Sequence, residues 1–175
     1  MKILLRLIVG MSTVVALLVG PAAADLSTGL VAYYPFDGNA QDATAFANDG
    51  QVLGATLDSD RNGESNSSYS FGGDGDIILV QSDSQINFGT GDFTISFWMK
   101  APFGADYAVM GKASGGIPHS IGGAVSGPSW NIQVENTLIH GWGARLDLWD
   151  GANGGFDILS NRDAVDGNWH HVVFT

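Results

Sequence analysis

The chain has 175 residues, no cysteine, 25 glycines, and eighteen acidic residues against seven basic, for a formal charge of −11. So acidic a surface repels phosphate backbones and excludes nucleic acid as a partner class. Without cysteine, stability has to come from a packed core, with or without a metal.

Lys2 and Arg6, the largely apolar stretch from Leu7 to Gly20, and the small residues Pro21-Ala22-Ala23-Ala24 have the layout of a secretory signal peptide over residues 1–24. The apolar core is about fourteen residues, short of the ~20 that a spanning helix needs, so no membrane insertion is expected after cleavage. The expected location is secreted, periplasmic or cell-surface. The mature chain, Asp25 to Thr175, is one domain of 151 residues with five basic residues left against eighteen acidic. Sixteen of those acids are Asp, a residue that favours turns and oxygen-rich cation sites.

After residue 24 the pattern is strand, turn, strand. Leu30 to Phe36 reads as the first strand and ends in the turn Asp37-Gly38-Asn39. Turns at Asn48-Asp49-Gly50 and Arg61-Asn62-Gly63 lead to strands at Tyr69–Phe71 and Ile77–Val80. The clearest strand is Phe93 to Lys100. Phe93, Ile95, Phe97 and Met99 form its apolar face, and Thr94, Ser96, Trp98 and Lys100 the other. A long glycine-rich loop is expected from Gly111 to Gly127, followed by strands at Asn131–Glu135, Leu138–His140, Arg145–Trp149 and Trp169–Phe174. Trp142 is expected in a glycine-flanked turn. The fold class is therefore all-β, a sandwich of antiparallel sheets.

Four stretches carry a resemblance. Gly29 to Ala40, Arg61 to Gly63 with Ser67 to Gly73, Phe93 to Lys100, and Asp166 to Val172 resemble, in order, the motifs of bacterial laminin-G-like domains. The resemblance implies a concanavalin A-like jelly roll of two antiparallel sheets, running from residue 25 and C-terminally truncated at Thr175. It implies a non-catalytic recognition module for carbohydrate or an extracellular protein. An accessory module of a larger carbohydrate-active enzyme and an architectural unit of an adhesin are the alternatives.

Candidate ligand residues follow from strand parity. In Arg145-Leu146-Asp147-Leu148-Trp149 the leucines take the core face, leaving Arg145, Asp147 and Trp149 together on the outer one. An aromatic plane beside charged groups suits a sugar ring, which stacks on its C–H face and hydrogen-bonds at its hydroxyls. Trp98 is the second such candidate. For a structural calcium, which the resemblance implies in the terminal loops, Asp37, Asn39 and Asp42 are the candidate oxygens; turn and cap hydrogen bonding by the same side chains is the competing reading. Asp58 to Gly63 copies the first half of a calcium loop but has Tyr69 where the twelfth position needs Glu, so an Asx-rich turn is expected.

His170 and His171 are adjacent on a strand and point to opposite faces, which argues for packing over a shared metal. Catalysis is not expected. Glu64 and Glu135 are isolated, whereas a retaining glycosidase needs two carboxylates about 5 Å apart.

Overall fold

The computed structural model describes residues 28–73, 75–81, 86, 91–105, 107–112, 129–137, 141–149, 155–160 and 164–175. The expected signal peptide, the strand at Leu138–His140 and most of the glycine-rich loop lie outside them. Among the described residues no helix is long and apolar enough to cross a membrane.

Ten strands are formed: β1 (Gly50–Leu53), β2 (Thr56–Asp58), β3 (Ser68–Ser70), β4 (Ile77–Val80), β5 (Ile95–Lys100), β6 (Tyr107–Lys112), β7 (Ser129–Thr137), β8 (Gly141–Trp149), β9 (Gly155–Leu159) and β10 (Trp169–Phe174). Every pairing is antiparallel, and no α-helix occurs among the described residues. The strands make one four-stranded sheet, β6-β7-β8-β9, and three pairs, β1-β4, β2-β3 and β10-β5. This is the all-β architecture expected of a jelly-roll sandwich.

Two of these units bury the core between them. Alternation in β5 turns Ile95, Phe97 and Met99 inward, and β10 adds Val172 and Phe174, which lie opposite Phe97 and Ile95. Facing them, the four-stranded sheet supplies Ile132 and Val134 from β7, Ala144 and Leu146 from β8, and Ile158 from β9. In register, Ile132, Leu146 and Ile158 form one row across three strands. Cross-strand rows of branched side chains are what a pleated inner face packs best. Ala101, Ala105, Ala164 and Val165 belong to the same core.

Two expectations are corrected. Leu30 to Phe36 joins no ladder. Its backbone is committed elsewhere: the Tyr33 N–H donates to the Asp42 carboxylate, the Tyr33 carbonyl accepts from Ala43 N–H, and Phe36 has φ of 61°. A segment whose polar groups are engaged by a loop has none to offer a neighbouring strand. Trp142 is not in a turn; it lies within β8, opposite Asn136 of β7. The hairpin is longer than its glycines suggest because β7 and β8 each run to nine residues.

β6 departs from regular alternation. The register slips between Ala108 and Met110, so Val109 is the extra residue of a bulge, and it is Val109 that packs on the core while Met110 stays exposed.

In the N-terminal part, Gly54 follows β1 with φ of 77°, and a Cβ there would collide with the Asp76 carboxylate. That carboxylate accepts from the N–H groups of Gly72 (2.7 Å) and Gly73 (3.0 Å). Gly54→Ala therefore combines left-handed strain with displacement of the group that orders the next loop. We expect a loss of about 1–3 kcal/mol in denaturant unfolding; a midpoint within error of wild type would show that the loop accommodates the methyl group.

Candidate functional site

The outer face of the β5–β10 pair carries one of several exposed aromatic rings, and the one with polar side chains gathered around it. Parity puts Ser96, Trp98 and Lys100 on that face of β5, and Trp169, His171 and Val173 opposite them on β10. Trp98 keeps 45% of its surface exposed. Its directly opposite partner is His171, and the two rings stack with centroids 5.0 Å apart and planes 20° apart. The imidazole is held from its other side chain neighbour by a 2.8 Å hydrogen bond between Nε2 and Ser96 Oγ. From the β2–β3 loop, the Arg61 guanidinium lies over the indole, 4.6 Å from its centroid. The result is an exposed aromatic ledge with a cation, an imidazole and a hydroxyl in contact around it. The Ser96–His171 contact has the spacing of a nucleophile and its base, yet no carboxylate backs the imidazole among the described residues. It sits on an open sheet face, a poor setting for acyl transfer.

His170 is turned the opposite way and belongs to a turn. Its Nε2 is 2.8 Å from Asp166 Oδ1, which also accepts from the Asn168 N–H at 2.8 Å, while Asp166 Oδ2 accepts from Asn168 Nδ2 at 3.1 Å. The His170 contact first, then the two Asn168 donors, pull the Asp166 carboxyl far below the usual carboxylate range. The His pair is thus split between a ledge and a turn, as strand parity requires.

The second candidate face belongs to the four-stranded sheet. Arg145 and Asp147 share its outer side, and Arg145 Nε donates to Asp147 Oδ1 at 2.6 Å. Asn131 lies opposite Asp147, Gln133 lies opposite Arg145, and Asn131 Nδ2 donates to Gln133 Oε1 at 3.2 Å. These four form a polar strip, but Gln133 and Asp147 are buried. The strip is largely engaged with itself. Trp149 ends β8 opposite Ser129 and Gly155, and its side chain lies outside the described residues.

The proposed calcium oxygens are not gathered around a vacant centre. Asp42 is 7% exposed and accepts four hydrogen bonds: Oδ1 from Tyr33 N–H and Thr44 N–H, both 2.9 Å, and Oδ2 from Thr44 Oγ1 at 2.8 Å and Asn48 N–H at 3.0 Å. Its own N–H donates to Asp49 Oδ1 at 3.0 Å. Burial alone would raise the Asp42 carboxyl, but the three N–H donors and the Thr44 hydroxyl outweigh it and hold the group below its ordinary range. Asp37 and Asn39 are exposed, and Asn39 Oδ1 accepts from the Gln41 N–H at 2.8 Å. A carboxylate whose four acceptor positions all face protein donors has none left for a hard cation. The residues present do not fit calcium at Asp42. Next to the knot, the Tyr34 hydroxyl donates to the Asn48 carbonyl at 2.6 Å, and burial, then the charges of Asp42 and Asp49, push it up to about 12.

Asp58 to Gly63 is also a self-contained turn. Asp60 Oδ1 accepts from Asn62 N–H and Glu64 N–H, Asp60 Oδ2 accepts from Asn62 Nδ2, and Asp58 Oδ1 accepts from Ser59 N–H. Among the described residues no three His, Asp or Glu side chains converge as a metal cluster.

Sequence reasoning found Trp98 but not its neighbours. Arg61 reaches it from a separate loop, and His171 through a register between strands far apart in the chain; neither relation leaves a local signal.

The described residues form antiparallel sheets with an exposed aromatic ledge on the outer face of the β5–β10 pair. The family model Laminin_G_3, of the concanavalin A-like lectin/glucanases superfamily, matches residues 71–175, and the chain belongs to this family. That membership suggests a carbohydrate- or protein-binding module. No curated protein and no solved structure gave a significant match.

Proposed function

We propose that the chain is a non-catalytic, exported recognition module that binds carbohydrate on the outer face of the β5–β10 pair, with Trp98 as the stacking platform. The observation that carries this reading is the half-exposed Trp98 ring with Arg61, His171 and Ser96 around it. Leaving so large an apolar ring in solvent forgoes about 1.5–3 kcal/mol of burial, a cost that a binding role explains. A pyranose stacks its C–H face on such a ring and takes hydrogen bonds from the polar groups at its rim. The Arg145–Asp147 strip supports this function less well, because its charges are already paired and Asp147 is buried.

The test is retention on a panel of immobilised polysaccharides and glycans, wild type against Trp98→Ala. Because Trp98 faces solvent, the variant should melt near the wild-type temperature. Its affinity should fall at least about ten-fold, the effect of ~1.4 kcal/mol. Undiminished glycan binding would move the platform elsewhere, and retention of an extracellular protein but of no glycan would favour the protein-binding reading.

A further inference from the structure

We infer that Arg61 is a built-in occupant of the Trp98 ring, a latch that a stacking ligand must displace; this rests on the Trp98 platform proposed above. The π surface of the indole is already met by two neighbours. The guanidinium lies over the ring, 4.6 Å from its centroid, and the imidazole of His171 stacks at 5.0 Å. A sugar ring needs the same surface, so one of the two has to leave.

His171 is the fixed one. It is anchored by the β10 ladder, where it lies opposite Trp98, and by the Ser96 hydroxyl. Arg61 is exposed and sits in the loop between β2 and β3. The loop's acids attract it by charge but do not fix it by hydrogen bonds: Asp60 is close enough for the Arg61 charge to act on its carboxylate, yet Asp58 and Asp60 direct carboxylate oxygens to the N–H groups of Ser59, Asn62 and Glu64. The loop is closed internally as well, by Asp60 N–H to the Glu64 carbonyl, Gly63 N–H to the Asp60 carbonyl, and Ser68 Oγ to the Ser59 carbonyl. A loop closed by its own hydrogen bonds lets the long Arg61 side chain swing off the ring without rebuilding the backbone.

An exposed cation–π contact is weak, so the latch tunes affinity and does not block binding. Removing it should tighten Trp98-dependent binding by about two- to five-fold.

Acrylamide quenching of tryptophan fluorescence tests the cover directly, with wild type and Arg61→Ala each also made in a Trp98→Phe background. Arg61→Ala should raise quenching, and the increment should vanish when Trp98 is absent. Equal quenching with and without Arg61 overturns the latch. The same proteins on the glycan panel give the second readout. Tighter retention by Arg61→Ala is expected; weaker retention would make Arg61 a ligand contact, overturning the latch while leaving the platform intact. Glycan retention indifferent to Trp98→Ala would bring down the platform itself, and the quenching result would still decide whether Arg61 covers the ring.

Discussion

Replacing Asp42 with alanine should lower folding stability by about 3 kcal/mol, among the larger losses a single side chain can cause. For a domain of this size the melting temperature should fall by roughly 6–12 °C. The carboxylate is a hub for residues 33–48. It receives donors from Tyr33, Thr44 and Asn48, and its removal strands the buried Asn48 N–H and leaves those of Tyr33 and Thr44 without their charged partner. Hydrogen bonds to an ionised acceptor are the stronger kind, and buried donors left unpaired carry a desolvation penalty. Asp42→Asn keeps the shape but turns one acceptor into an N–H₂ that faces other donors, so it should recover little.

The pH dependence follows from the same contacts. Asp42 has its folded pKa lowered, so its stabilisation is present above the unfolded carboxyl value near 3.9 and is lost as pH falls through the lower folded value. Wild type should therefore lose stability on acidification below about pH 4, and Asp42→Ala should show a shallower acid limb. Thermal melts from pH 7 to pH 2 measure this. Because the knot is closed by protein donors, chelator should leave the pH 7 melting temperature of wild type unchanged. A rise of several degrees with added calcium would mean that an ion binds and stabilises the fold.

The Asp42 knot also shows how far the sequence could be read. Asp37, Asn39 and Asp42 are visibly an oxygen-rich turn, but whether the oxygens face N–H groups or a cation depends on the path of residues 30–36. That path was misleading: an apolar, aromatic run before Pro35 has strand composition, yet its polar groups are committed to the loop. β5, β8 and β10 were legible because one buried face imposes period-two alternation. β1, β2, β6 and β9 were not. β1 and β2 are four and three residues long, and β6 is an exposed strand in which a bulge breaks the period. For the ledge, parity placed Trp98 in solvent, but Ser96 and His171 are 75 residues apart and meet only through sheet register.

Leu146→Ala should be the most damaging core substitution, at about 4–5 kcal/mol. Leu146 is fully buried, at 0% exposure, in the middle strand of the row Ile132, Leu146 and Ile158. The cost depends on whether the cavity can collapse. Backbone hydrogen bonds hold β8 to both β7 and β9, so the two neighbours cannot close on the gap without breaking ladders. Loss should therefore lie in the upper part of the range for deleting a leucine side chain. Val173→Ala, on the exposed face of β10, is the contrasting substitution and should change stability by less than about 0.5 kcal/mol. Denaturant unfolding of both variants measures the difference. The comparison bears on function because β5 and β10 present Trp98 and His171 outward while their inner side chains share the core with Leu146. If packing between the sheets holds the ledge flat, Leu146→Ala should also reduce the Trp98–His171 ring-current shifts under conditions where the protein remains folded. Unchanged shifts would mean that the two-stranded ladder and the Ser96–His171 bond position the rings by themselves.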